Sequence, residues 1–270
     1  MNKLLRTVEK ESSQGAMKVG QSEADPVKFA ILCMPRTGSS MLTQWLSTHK
    51  DIRCLPAIFS KTGWPPRQVS GVGAFAWMRE NLDSEWDNLS LRLSKPAKLL
   101  REIVAKSSDK VAVGFKHHIG SDNITEPLLG RGAGTRKIIL TRNNLLAAYS
   151  SHKVVEATGQ GAARAGQSIV RAAVTFDPVE FSRFAAKRQR LYEHAREQVR
   201  GPVMEIDYTA VRTEEGIGLI GRFLGVDPAG FGLQQTAKRN SDEIVSRFSD
   251  PEVVLSYLKQ HGLENWASET

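Results

Sequence analysis

The sequence predicts an α/β fold of three layers, with a central, mostly parallel sheet flanked by helices. Three observations predict it. Apolar runs of strand length alternate with segments whose apolar residues recur at helical spacing, the pattern of strands joined by crossover helices. The run in "TRKIILTR" is continuously apolar at its centre, as a strand buried on both faces should be. The 270 residues, 40% hydrophobic and 24% charged, supply enough chain for a buried core at ordinary globular composition.

The elements follow in order. Residues 1–26 read as a polar, disordered tail and 27–270 as a single domain. The first strand covers 28–34, and its helix covers 38–48. Residues 51–73 are rich in Pro and aromatics and read as a loop. Helical spacing recurs over 72–82 and 95–106. The second strand, "KVAVGFK", covers 110–116; the third covers 135–142 and feeds a helix over 143–156. Residues 157–176, rich in Gly, Ala and Gln, read as a mobile lid. Asp177-Pro178 starts the next helix, an Asp cap with Pro at the first helical position. Its apolar stripe is Phe181, Phe184, Leu191, Tyr192 and Val199, and it stops at Gly201. "PVMEIDY" is the fourth strand. A helix over 214–224 closes at Gly225, and a basic turn, "TAKRNSDE", precedes a helix over 251–260.

Composition excludes several classes. No apolar run is long enough to span a bilayer, and the first residues lack a signal-peptide core. Cys33 and Cys54 match no metal or redox spacing, and a reducing cytoplasm is the expected compartment. The net charge of +8 favours anionic partners. No zinc-finger spacing or RNA-recognition signature accompanies it, so a nucleotide with several phosphates is expected rather than nucleic acid.

Two stretches carry chemistry. In "FAILCMPRTGSSMLTQWL" an apolar strand turns through residues 35–40 into a helix. Unpaired N–H groups at a helix N-terminus attract anions. Gly38 lets the backbone approach closely, Thr37, Ser39 and Ser40 add hydroxyls, and Arg36 adds a planar charged fork. The arrangement is P-loop-like, but G-x-x-x-x-G-K-[ST] is absent. A plain capped turn is the alternative. In "LTRNNLLAAYSSHK", Arg142 ends the third strand, where open α/β sheets bind ligands, and Ser150 follows about two helical turns on. Together they could grip one phosphate; a capping Arg beside a surface Ser is the alternative.

Taken together these motifs resemble one family, the sulfotransferases that use 3′-phosphoadenylyl sulfate (PAPS). "PRTGSS" resembles their 5′-phosphosulfate loop, and "RNNLLAAYS" resembles their 3′-phosphate motif, an Arg and a Ser eight apart. "VGFKHHIG" is similar to the family strand whose Lys-x-His carries the catalytic base in many members. "QQTAKRNSDEIVSRF" resembles the closing segment of bacterial carbohydrate sulfotransferases of the Nod-factor type. The likeness runs from Phe29 to Phe248, patchily between motifs.

The resemblance implies sulfuryl transfer from PAPS to a hydroxyl of a carbohydrate or glycolipid, leaving adenosine 3′,5′-bisphosphate, with no metal required. It implies Arg36, Thr37, Gly38, Ser39 and Ser40 around the 5′ side, Arg142 and Ser150 on the 3′-phosphate, and Lys116 at the sulfuryl group. Lys238 and Arg239 would close over the nucleotide, or be a solvated charge pair. His118 stands at the Lys-x-His position as base, with His117 in reserve. Ala57 stands where many bacterial relatives carry an acid, which strengthens His118 and leaves the acceptor open. Trp64 is the candidate for stacking on a sugar, or for core packing, and Arg164 lies in the lid. The basic surface suits peripheral contact with a membrane bearing a glycolipid. The competing readings are an ATP phosphotransferase, against which the missing Walker lysine argues, and a non-catalytic nucleotide or polyanion binder.

Overall fold

Five strands form one wholly parallel sheet in the order β2-β3-β1-β4-β5. They are Val27–Cys33 (β1), Ile52–Leu55 (β2), Ala112–His118 (β3), Thr135–Thr141 (β4) and Val203–Asp207 (β5). The computed structural model describes residues 25–60, 74–122, 125–132, 134–159, 172–231 and 242–269. The helices are Ser39–Thr48 (α1), Ala74–Asn81 (α2), Leu89–Ser94 (α3), Pro96–Ala105 (α4), Thr125–Arg131 (α5), Leu145–Thr158 (α6), Pro178–Gln198 (α7), Tyr208–Val211 (α8), Glu214–Leu224 (α9) and Pro251–Gln260 (α10).

Alternation in the central strands builds two cores. Ala30 and Leu32 of β1, with Val113 and Phe115 of β3, face one layer, where they meet Trp86, Leu99, Ile103 and Tyr192. Phe29, Ile31 and Cys33 face the other, where they meet Leu42 and Leu46 of α1 and Ile217, Ile220 and Leu224 of α9. A third core joins α6, α7 and α10. Tyr149 lies at its centre, with Phe181 and Phe184 edge-on at 5.4 and 5.5 Å and Phe248 stacked at 6.3 Å.

Several boundaries differ from the sequence reading. Residues 52–55, expected in a loop, form β2, because Ile52, Cys54 and Leu55 are buried and pair with β3 from Ile52↔Ala112 onward. β3 starts later than expected and continues through both histidines, held by β1 as far as Cys33↔His118. Tyr208 leaves the fourth strand to open α8, because Asp207 caps that helix by accepting from the Thr209 N–H at 2.9 Å. Periodicity gives no sign of the short α3 and α5; the latter, "TEPLLGR", carries a Pro and a Gly within seven residues. The expected lid over 157–176 is pinned at its far end. Val174 and Phe176 lie in the third core, and Val174 N–H donates to the Arg247 carbonyl at 3.1 Å. Residues 160–171, with Arg164, lie outside the described residues, as do Trp64, Lys238 and Arg239.

Candidate functional site

β1 sits at the middle of the sheet, between β3 and β4. The chain leaves β1 towards β2 and leaves β4 towards β5. Their carboxyl ends therefore diverge, which opens the crevice where parallel sheets take ligands. Residues 35–40 fill the lip of that crevice.

The loop is held in a tight, strained form. Arg36 has φ 70° and Gly38 φ 79°. A left-handed backbone at a non-glycine residue persists only where its surroundings enforce it. Here two guanidiniums do so: that of buried Arg188, whose Nη1 donates to the Pro35 carbonyl at 2.8 Å, and that of partly buried Arg142, whose Nη1 donates to the Arg36 carbonyl at 2.9 Å. Thr37, fully buried, donates its hydroxyl to the Met34 carbonyl at 2.8 Å. Met34 N–H meets the Tyr192 hydroxyl at 3.1 Å, which in turn donates to the Leu140 carbonyl of β4 at 2.7 Å. A Cβ on Gly38 would collide with the ring of Tyr208, which also lies 4.5 Å beneath the Arg142 guanidinium. α1 begins at Ser39 with no side-chain cap and no acid in its first turn, so its N-terminal amides keep their attraction for an anion.

One cationic group flanks the loop on the β3 side. Lys116 is 9% exposed and its Nζ donates to Ser40 Oγ at 3.2 Å. Burial, with Arg36 adding to it, pulls its pKa below the ordinary lysine value. His118 lies two residues on, at the half-buried end of the same strand and on the same face. Burial, then Lys116, then His117 push its pKa down to about 4. Its ring is therefore neutral at pH 7. Cys33, also buried on this face, has its thiol pushed up by burial and stays protonated.

His117 points the other way. It faces the opposite layer and lines a cavity of about 240 Å³ with Leu32, Ile119, Leu129 and Val199. Its Nε2 is 4.0 Å from Asp122 and has no hydrogen-bond partner among the described residues. The sheet separates it from Lys116 and Ser40, so of the two histidines only His118 shares their face.

A second cationic group lies on the β4 side. Arg142 follows β4, and its fork grips Glu269: Nε meets Oε1 at 2.7 Å and Nη2 meets Oε2. Ser150 is fully buried on α6, donates to the Ala147 carbonyl at 3.1 Å and accepts from Arg247 Nη1 at 3.1 Å. Burial, with Arg142 adding to it, lowers the Arg247 pKa to about 10, while Glu269 opposes the shift. Arg142 and Ser150 do not touch directly; Glu269 on the Arg142 fork and Arg247 on Ser150 stand between them. Arg36 joins the two groups, its Nε and Nη2 donating to Ser151 Oγ at 2.9 and 2.8 Å.

Sequence reasoning missed Arg188, Ser151, Tyr208, Arg247 and Glu269. Three of them lay within quoted stretches, Ser151 in "LTRNNLLAAYSSHK", Tyr208 in "PVMEIDY" and Arg247 in "QQTAKRNSDEIVSRF", whereas Arg188 and Glu269 carried no signal. Glu205 and Asp207 are structural: Glu205 pairs with Arg196, and Asp207 caps α8 and accepts from Asn143 N–H at 2.8 Å. Ala57 is buried after β2. Among the described residues no cluster of three His, Cys, Asp or Glu could hold a metal, and no helix is long and apolar enough to cross a membrane.

No family model matches the chain, and no curated protein matches it. A solved structure of a sulfotransferase from Alicyclobacillus acidocaldarius is similar over 89% of this chain and 98% of that one, with 16% identity and a TM-score of 0.42. A likeness that remote carries no argument about chemistry.

Proposed function

We propose that the protein is a sulfotransferase that moves the sulfuryl group of PAPS to a hydroxyl of a carbohydrate or glycolipid. One observation carries the reading: a helix N-terminus and its strained loop are flanked by two separate cationic groups, Lys116 with Ser40 on one side and Arg142 with Arg247 and Ser150 on the other. A nucleotide charged at both its 5′ and 3′ ends uses both; ATP, with one phosphate chain, uses one. The motif resemblance points the same way.

In this reading the acceptor oxygen attacks sulfur in line, the bond from sulfur to the bridging 5′-phosphate oxygen breaks, and adenosine 3′,5′-bisphosphate leaves. Charge grows on the bridging and sulfuryl oxygens, where Lys116, Arg36 and the α1 amides are preorganised donors. The hydroxyl proton goes to His118. Its pKa of about 4 in the ligand-free protein is low for a general base. The anionic donor beside Lys116 offsets that cation and so opposes part of the shift, whose largest cause is burial.

The test is calorimetric titration with adenosine 3′,5′-bisphosphate, 5′-AMP and ATP. Binding that requires the 3′-phosphate is expected; equal affinity for ATP would sink the assignment. Ala57 and the depressed His118 favour a second reading, a nucleotide binder without turnover. His118→Ala separates the two. As base, it loses about 10²–10⁴ in PAPS-dependent rate at nearly unchanged bisphosphate affinity; unchanged turnover would remove His118 from the mechanism.

A further inference from the structure

The group of Arg142, Arg247 and Ser150 already holds an anion, and that anion belongs to the chain itself. Glu269 engages the Arg142 fork through both oxygens, and the two side chains are only 2% and 9% exposed. The segment that brings it there is tied to Asn144 and to residues 242–244. Asn144 Nδ2, two residues past Arg142, donates to the carbonyls of Trp266 and Ser268 at 3.1 and 3.0 Å. Glu269 N–H donates to the Asp242 carbonyl at 2.9 Å, and Ile244 N–H to the Ala267 carbonyl at 2.8 Å. Trp266 and Ala267 of this segment pack against the third core that holds Tyr149 and Phe248, while Ser268 is exposed and Glu269 is buried.

A bidentate carboxylate on arginine is the geometry in which a phosphate also binds. Arg142 pairs directly with this one monoanion, and Arg247 lies close enough to feel its charge. A phosphate monoester brings up to two charges and three terminal oxygens, so it is the stronger ligand for the same donors. The carboxylate and a 3′-phosphate cannot both occupy the Arg142 fork.

We propose that Glu269 is an internal stand-in for the 3′-phosphate, filling the Arg142 fork until the nucleotide arrives and reclaiming it as the product leaves. This rests on the PAPS reading above and adds a regulation to it. The carboxylate keeps the buried Arg142 compensated in the free protein, where a bare buried cation is costly. It lowers apparent nucleotide affinity by the fraction of time the fork is closed. It also eases departure of adenosine 3′,5′-bisphosphate, which retains the 3′-phosphate after the sulfuryl group has gone.

The experiment titrates the full chain and its Glu269→Gln and Glu269→Ala variants with adenosine 3′,5′-bisphosphate and with 5′-AMP. The variants are expected to bind the bisphosphate about tenfold tighter or more. The affinity for 5′-AMP, which cannot reach the fork with a 3′-phosphate, shifts much less; this separates competition at Arg142 from the general gain in positive charge. Equal or weaker bisphosphate binding by the variants, or an equal gain for 5′-AMP, makes Glu269 a fixed prop and overturns the inference. Wild-type protein that binds 5′-AMP as tightly as the bisphosphate overturns the PAPS reading itself. Hydrogen exchange on the wild type needs no variant to fold: saturating bisphosphate should speed exchange in a peptide spanning 264–269, and unchanged or slower exchange there also refutes the exchange of ligands.

Discussion

At Gly38 two constraints coincide. Its φ of 79° is a left-handed conformation that L side chains rarely adopt, and the space its Cβ would need holds the Tyr208 ring. Gly38→Ala should therefore displace both the loop and the Tyr208 platform under Arg142. The expected loss is about 1–3 kcal/mol of stability with at least a tenfold loss of bisphosphate affinity, read by thermal melts and calorimetry on one sample. Full affinity in this variant would show that the loop does not touch the nucleotide. That a glycine belongs here is legible in "PRTGSS"; that Tyr208, far along the chain, is the reason is not.

The third core is the element that aims the β4-side cluster. Phe248 is 3% exposed, stacks on Tyr149 and directly follows Arg247; Tyr149 directly precedes Ser150. Phe248→Ala removes the packing that fixes both polar neighbours, and large-to-small changes of this kind cost about 3–5 kcal/mol. Bisphosphate affinity should fall along with the melting temperature and 5′-AMP affinity should fall less, because the Thr37–Met34 bond and Lys116 support the α1 loop from outside this core. The helical stripes of α6 and α7 are readable from spacing alone. Their convergence with residues 244–258 is not, since apolar periodicity says which face is buried and is silent about against what.

The stability of the whole molecule should depend on the buried histidines. Burial pushes His117 and His118 to about 4, against 6.5 in an unfolded chain, with the Asp122 carboxylate opposing the shift at His117. Between those values the unfolded chain binds more protons than the folded one, so stability falls as pH drops from 6.5 towards 4. His117→Phe keeps the ring volume among Leu32, Ile119 and Leu129 and removes one titrating group. Urea midpoints between pH 7 and pH 4 should then decline less steeply than in the wild type; an identical decline would mean that His117 is not buried neutral.

The sequence by itself determined the α/β alternation, the loop at 35–40 and the Arg142–Ser150 spacing, because each is a local pattern set by backbone periodicity and capping chemistry. It also carried the strand that bears Lys116 and His118, although pairing with β1 was needed to show that β3 reaches His118. Only the tertiary structure decided that β3 runs far enough for period-two alternation to put His118 on the face of Lys116. It alone brought Arg247 to Ser150 across 97 residues of chain, and Glu269 to Arg142 across 127. Buried charges must be compensated wherever the fold places them, and a linear pattern does not record which distant carboxylate the fold will bring.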